Sequence, residues 1–159
     1  MSIAEQQRPE VTEEEHREAE SRIVKFSYKK PTGFDRPKVT VRLGQTDVLR
    51  GHIQVIREGG ENNLHYHSKV DGMFTVLKGR ARFYGPGDEL LGEFGPLEGI
   101  VIPRNARYWF ESVGEEEAEI MLVQGFHEHG AEKSGRTDSA PRKLQDAGEG
   151  GTRYSAVVK

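Results

Sequence analysis

Cysteine is absent from the 159-residue chain. That removes disulfides, thiolate nucleophiles and thiolate-held metals, so any metal must be held by imidazole, carboxylate or phenolate. Long hydrophobic runs are missing too. No stretch approaches the ~20 apolar residues that span a bilayer, and no charged-then-apolar leader resembles a secretory signal. The expectation is therefore no membrane partner and, by default, a cytoplasmic location. Charge of one sign is also lacking: 23 Lys and Arg stand against 26 Asp and Glu. A net charge near -3 carries no electrostatic footprint for nucleic acid. What remains is a chain long enough for one domain with a sizeable core, its hydrophobic content of 34% diluted by polar ends.

Two histidines anchor the middle of the chain. The stretch from Gly59 to Gly79 reads GGENNLHYHSKVDGMFTVLKG. Side chains alternate faces along a strand, so His65 and His67 share one face and Tyr66 takes the other. Two imidazoles one strand repeat apart are a metal-ligand arrangement or an acid/base pair. Asp71-Gly72 reads as a turn that sends the chain back through the apolar run Met73 to Leu77.

Towards the N-terminus, Met1 to Pro9 reads as unstructured. Thr12 and Glu15 have the spacing of a capping box, opening a short helix or solvated acidic arm with six glutamates between Glu10 and Glu20. His16 lies there without an assigned role. From Lys38 onward, short strand-like runs are separated by glycines and prolines: Val39 to Leu43, Val48 to Ile56, Leu64 to His67, Met73 to Leu77 and Ala81 to Tyr84. Glu89 to Phe94, Gly99 to Ile102, Tyr108 to Ser112 and Ala118 to Phe126 continue the series. Such a run predicts an antiparallel sandwich or barrel. The tail from Gly130 to Lys159 is too polar to order by itself, and is either disordered or laid along another surface with Tyr154, Val157 and Val158 as anchors.

Gly59, His65, His67 and Gly79 resemble the first motif of the cupin superfamily, G-x5-H-x-H followed by E-x6-G. The second motif, G-x5-P-x-G-x2-H-x3-N, falls on Leu97 to Ser112 (LEGIVIPRNARYWFES). Pro103 aligns, whereas Leu97 and Asn105 replace its glycines, Tyr108 its histidine and Ser112 its asparagine. The resemblance implies an all-β fold: a single-domain, bacterial-type, RmlC-like jelly-roll barrel, or antiparallel double-stranded β-helix. The expected division is an N-terminal arm and lead-in strand over 1–37, a barrel over 38–129 and a polar tail over 130–159.

Cupin metal sites usually use both histidines and the glutamate of motif one with the histidine of motif two. Here the glutamate position is Gly72, with Asp71 one place earlier, and the fourth ligand is Tyr108. The resemblance thus implies a divalent metal, Fe, Mn, Ni or Zn, held by His65, His67 and Tyr108. Glycine in the glutamate position leaves room or an open coordination position for a substrate. A metal-dependent enzyme acting on a small organic molecule follows, with a dioxygenase-type oxidoreductase ahead of lyase or isomerase chemistry. Two alternatives stand beside it: a non-catalytic ligand-binding or sensor barrel, and a metal-free sugar epimerase. In the latter a histidine is the base, Asp71 its orienting partner and Tyr108 the acid.

Alternation supplies further pocket candidates. Phe74 and Val76 share the face of Gly72, and Phe110 that of Tyr108. His52 and Gln54 share a face one strand earlier. Arg104 and Arg107 flank the motif-two turn, where either can receive an anionic substrate group. His127 and His129 repeat the H-x-H spacing at the end of the barrel, which reads as a solvated strand end. Trp109, with Met73, Thr75 and Leu77, is expected on an outer apolar face covered by a second subunit, making the protein a homodimer.

Overall fold

The computed structural model describes residues 10–58, 60, 63–128, 134–141 and 152–159. Thr12 caps a helix, α1 (Glu13–Ser21), through the reciprocal bonds its spacing predicts: Glu15 N donates to Thr12 Oγ1 at 3.2 Å and Thr12 N to Glu15 Oε2 at 2.8 Å. No residue of the helix is buried, so the caps and not a packed face define it. Strand β1 (Lys25–Phe26) follows.

The strands β2 (Lys38–Gln45), β3 (Leu49–Ile56), β4 (His65–His67), β5 (Val70–Lys78) and β6 (Ala81–Tyr84) come next. They are followed by β7 (Leu90–Phe94), β8 (Gly99–Ile102), β9 (Trp109–Ser112) and β10 (Ala118–Phe126). The C-terminal region adds β11 (Arg136–Asp138), β12 (Thr152–Ser155) and β13 (Val157–Val158). A six-stranded sheet runs β12-β2-β3-β10-β5-β8 and a three-stranded sheet runs β7-β6-β9, while β11 pairs with β4 and β13 with β1.

Alternation decides what each face does. Along β5, Val70, Gly72, Phe74 and Val76 are buried while Asp71 and Met73 are exposed. Val70 packs on Phe126, while Phe74 and Val76 meet Ala81, Phe83 and Phe110 of the smaller sheet and Ile120 and Leu122 of β10 in one core. Its centre is aromatic: Phe74 lies 5.0 Å from Phe83 and 5.4 Å from Phe110, ring centroid to centroid. Val76 belongs to this core and is fully buried in it, so it fills the interior and does not line a pocket as expected.

The Asp71-Gly72 pair is not a turn. The chain bends at Ser68–Lys69, and Gly72 is a strand residue paired with Ile102 on one side and Gln124 on the other. Ladder pairing on both edges overrides the turn propensity of an Asp-Gly dipeptide. Trp109 also departs from expectation. It stacks on Tyr84 at 4.2 Å and donates Nε1 to Asp88 Oδ1, so it is covered from within the smaller sheet and shares no outer face with Met73.

The C-terminal region lies along the barrel. Tyr154 pairs with Val41 in a parallel ladder and packs on the clusters of Val41, Leu43 and Ile53 and of Phe34, Val39 and Val55. Val157 and Val158, the other expected anchors, remain half exposed. Gly59, His129, Met1 to Pro9 and the remainder of the tail lie outside the described residues. Among the described residues no helix is long and apolar enough to cross a membrane.

Candidate functional site

Strand β4 delivers the histidines and two other segments hold them. Asp138, Thr137 and Arg136 pair with His65, Tyr66 and His67, and an isolated antiparallel bridge joins His65 to Tyr108 on the other side. His65 Nδ1 lies 2.7 Å from the Asn63 carbonyl oxygen, which can only accept, so Nδ1 carries the proton and Nε2 the lone pair. His67 Nδ1 lies 2.9 Å from Ser134 Oγ. Among the described residues nothing else hydrogen-bonds either ring, so each is fixed from behind with Nε2 left over. The rings sit edge to face at 5.2 Å, and Tyr108 lies 4.5 Å from His65.

Both imidazoles are neutral at ordinary pH. Burial pushes His65 down to about 3 and His67 down to about 4, with the charge of Arg136 the next cause for each. Lys38 acts on both rings in the same sense and Arg50 on His67. Burial pushes the Tyr108 phenol far above its usual value, which keeps it a protonated hydroxyl.

The pair opens on a cavity of about 510 Å³. Of the residues singled out in the sequence, His52, Gln54, Phe74, Tyr108 and Phe110 line it. His52 Nε2 lies 3.2 Å from Gln54 Nε2. Asp71 does not reach it, because alternation turns this side chain outward, where its carboxylate accepts from Arg104 N at 2.8 Å. Arg104 is drawn to the same carboxylate at 3.6 Å. Arg107 is exposed on the loop before β9 and is not part of the lining. His127 is likewise exposed, with Nδ1 3.0 Å from the Lys69 carbonyl.

Sequence reasoning missed the cavity's cations. Lys38 and Arg42 enter from β2, Arg50 from β3 and Arg136 from β11. Arg50 had a usable signal, since it shares the parity of His52 and Gln54. Arg136 had none: it comes from a polar tail and is placed only by the pairing of β11 with β4. Gln124, which accepts from Arg50 Nη2 at 2.7 Å, occupies the inner face of β10 opposite Gly72.

The described donor set does not complete a metal site. No group of three His, Asp or Glu side chains converges among the described residues. At Gly72 a Cβ would stand 3.2 Å from Leu122 Cδ1, so a side chain there needs Leu122 to shift slightly. Burial, only partly offset by the charge of Arg136, keeps the Tyr108 phenol protonated, which makes it a poor phenolate donor. Two imidazoles fit a metal; the third protein ligand that catalytic sites ordinarily supply is not among them.

No protein-family model matches the chain. Over 85 residues it is 32% identical to the polyketide synthase CurC of Streptomyces cyaneus, covering 52% of this chain and 51% of that protein. The chain thus spans about half the length of that curated relative. A conserved protein with a double-stranded β-helix domain from Klebsiella pneumoniae superposes with a TM-score of 0.59 at 18% identity, covering 76% of this chain and 93% of its own. An RmlC-like cupin family protein from Methanocaldococcus jannaschii gives 0.52 at 17%, over 64% and 89%. A recombinant oxalate oxidase in complex with glycolate gives 0.52 at 20%, over 67% and 59%, so enzymes and uncharacterised proteins both share this architecture. The fold of this chain is the double-stranded β-helix of the RmlC-like cupins.

Proposed function

We propose that this protein binds a small organic molecule inside its barrel, with the neutral imidazoles of His65 and His67 facing it. The supporting observation is that His65 is buried and His67 half-buried, and that both rings are tied through Nδ1, which leaves Nε2 for a guest. The cavity, at about 510 Å³ with an aromatic wall, is of the size and character that encloses a small ligand.

A second reading, the metal-dependent enzyme of dioxygenase type, is favoured by one feature. A histidine whose Nδ1–H is donated to a backbone carbonyl is held as metal-ligating histidines usually are, and His65 has that arrangement. The same two rings would hold the metal, and an additional ligand would have to come from elsewhere. The acid/base epimerase is less well supported. Asp71 cannot orient the base from outside the cavity, and an imidazole pushed down to about 3 gives little driving force for proton abstraction near neutrality.

One preparation tests the first two readings. Protein purified without a metal-affinity column is analysed for bound small molecules by mass spectrometry and for metals by elemental analysis, beside a His65→Ala, His67→Ala variant. Bound organic molecule without metal, lost in the variant, is the expected result. Near-stoichiometric metal lost in the variant would replace it with the enzyme reading.

We also propose a homodimer. Met73 and Val101 are cross-strand neighbours on the outer face of the larger sheet and are 47% and 64% exposed, an apolar patch suited to a second copy. Light scattering should give a dimer that Met73→Glu dissociates. A monomer at micromolar concentration would contradict this.

A further inference from the structure

The cavity's charge is one-sided. Lys38, Arg42, Arg50 and Arg136 line it, with His52, His65 and His67, and no Asp or Glu does so among the described residues. Composition does not explain this, because acids outnumber bases in the chain as a whole, 26 to 23. Nor is Arg136 needed for the contrast, since it pairs with Asp138 at 3.1 Å behind β4. Lys38 is the most enclosed of these cations, at 9% exposure, with Nζ 5.9 Å from the centre of the Phe110 ring. Arg50 is held at the wall by two bonds to Gln124 Oε1, at 3.1 and 2.7 Å.

The walls also differ in polarity by strand. Thr40 on β2 stands opposite Gln54 on β3, and Arg42 opposite His52, which makes that wall polar. Leu122 and Phe74 continue the row on β10 and β5, and Phe110 and Tyr108 complete an apolar side. Gln54 is part of that polar wall. It is 92% buried by its 8% exposure, lines the cavity, and its Oε1 has no hydrogen-bond partner. A half turn of that amide lets Oε1 accept from His52 Nε2–H.

We propose that the cavity takes an organic carboxylate, its charge set against Lys38 and Arg50 and its apolar body against Phe74, Phe110 and Leu122. This rests on the reading of the barrel as a small-molecule site and names the class of molecule. Expectation from sequence put the anion contact at Arg104 and Arg107; alternation and the Asp71 pair place those side chains outside, and β2 and β3 supply the cations instead.

Calorimetric titration of the full chain at fixed ionic strength, with benzoate and phenylacetate against the neutral benzamide and phenylacetamide, tests the assignment. The carboxylates should bind saturably, and at least about tenfold more tightly than their amides, the scale of a charge-assisted hydrogen bond. Lys38→Met and Arg50→Met should each weaken carboxylate binding by about tenfold, with Lys38→Arg restoring part of the loss. Arg107→Gln should change nothing. Urea midpoints close to wild type establish that each variant is folded.

Amides that bind as tightly as carboxylates, in a manner lost in Phe74→Ala, would overturn the carboxylate assignment and leave the small-molecule site standing. Carboxylate binding that ignores both Lys38→Met and Arg50→Met would overturn it as well. Failure of every probe to bind would overturn both.

Discussion

At the scale of single residues, the motif-two departures have unequal consequences. Leu97 and Asn105 stand where the motif has glycine, and both adopt left-handed backbone, with φ of 67° and 70°. The backbone of the motif is therefore kept without the residue that makes it easy. Asparagine tolerates this region, whereas leucine is strained in it by about 1–2 kcal/mol. Leu97 is 85% exposed and gains little from packing. Leu97→Gly should therefore raise stability, by about 1 kcal/mol once the added freedom of the unfolded glycine is subtracted, and Asn105→Gly by less. Denaturant midpoints read the difference, and a destabilised Leu97→Gly would contradict the strain argument. The buried histidines set a second expectation. Their folded values, about 3 and about 4, lie below the unfolded 6.5, so the unfolded chain binds protons first as pH falls. Stability is fully present above pH 6.5 and should fall by roughly 1.4 kcal/mol per pH unit per histidine on the way down to pH 4. In chelator-treated protein, His67→Asn should remove about half of that slope.

At the scale of elements, what could be read from the sequence depended on whether the signal was local. The runs Ala81–Tyr84, Gly99–Ile102 and Ala118–Phe126 were legible to the residue because alternation and flanking turns agree with the final pairing. Asp71 was misplaced because its assignment hung on a turn that ladder pairing overrides, and a one-residue change of parity moves a side chain from cavity to solvent. The histidine pair was legible, and so was Tyr108, whose bridge to His65 brings the two motifs together. Arg136 and Ser134 were not, since a polar tail carries no periodicity and only long-range pairing sets it against β4. The same long-range logic makes β12 structural. Tyr154 joins two clusters across β2, and Tyr154→Ala should destabilise by about 2 kcal/mol, between a surface change and full loss of a core aromatic. A cost below about 0.5 kcal/mol would mean that β12 is peripheral.

At the scale of the whole molecule, the fold sorts its chemistry by strand. The inner faces of β5, β6 and β9 supply the aromatic core, β2 and β3 supply cations and amides, and β4, bracketed by β11 and the Tyr108 bridge, supplies the imidazoles. The central claim is that His65 and His67 form a neutral pair facing a small-molecule cavity. Long-range 1H–15N spectra of the imidazoles in chelator-treated protein, recorded from pH 8 to pH 4.5 with and without benzoate, test it directly. The account predicts two rings that stay mostly neutral down to pH 5 in the benzoate-free series, His65 protonated at Nδ1, and benzoate-induced shifts at these rings. Two rings that titrate near the ordinary 6.5, with no response to benzoate, would contradict it.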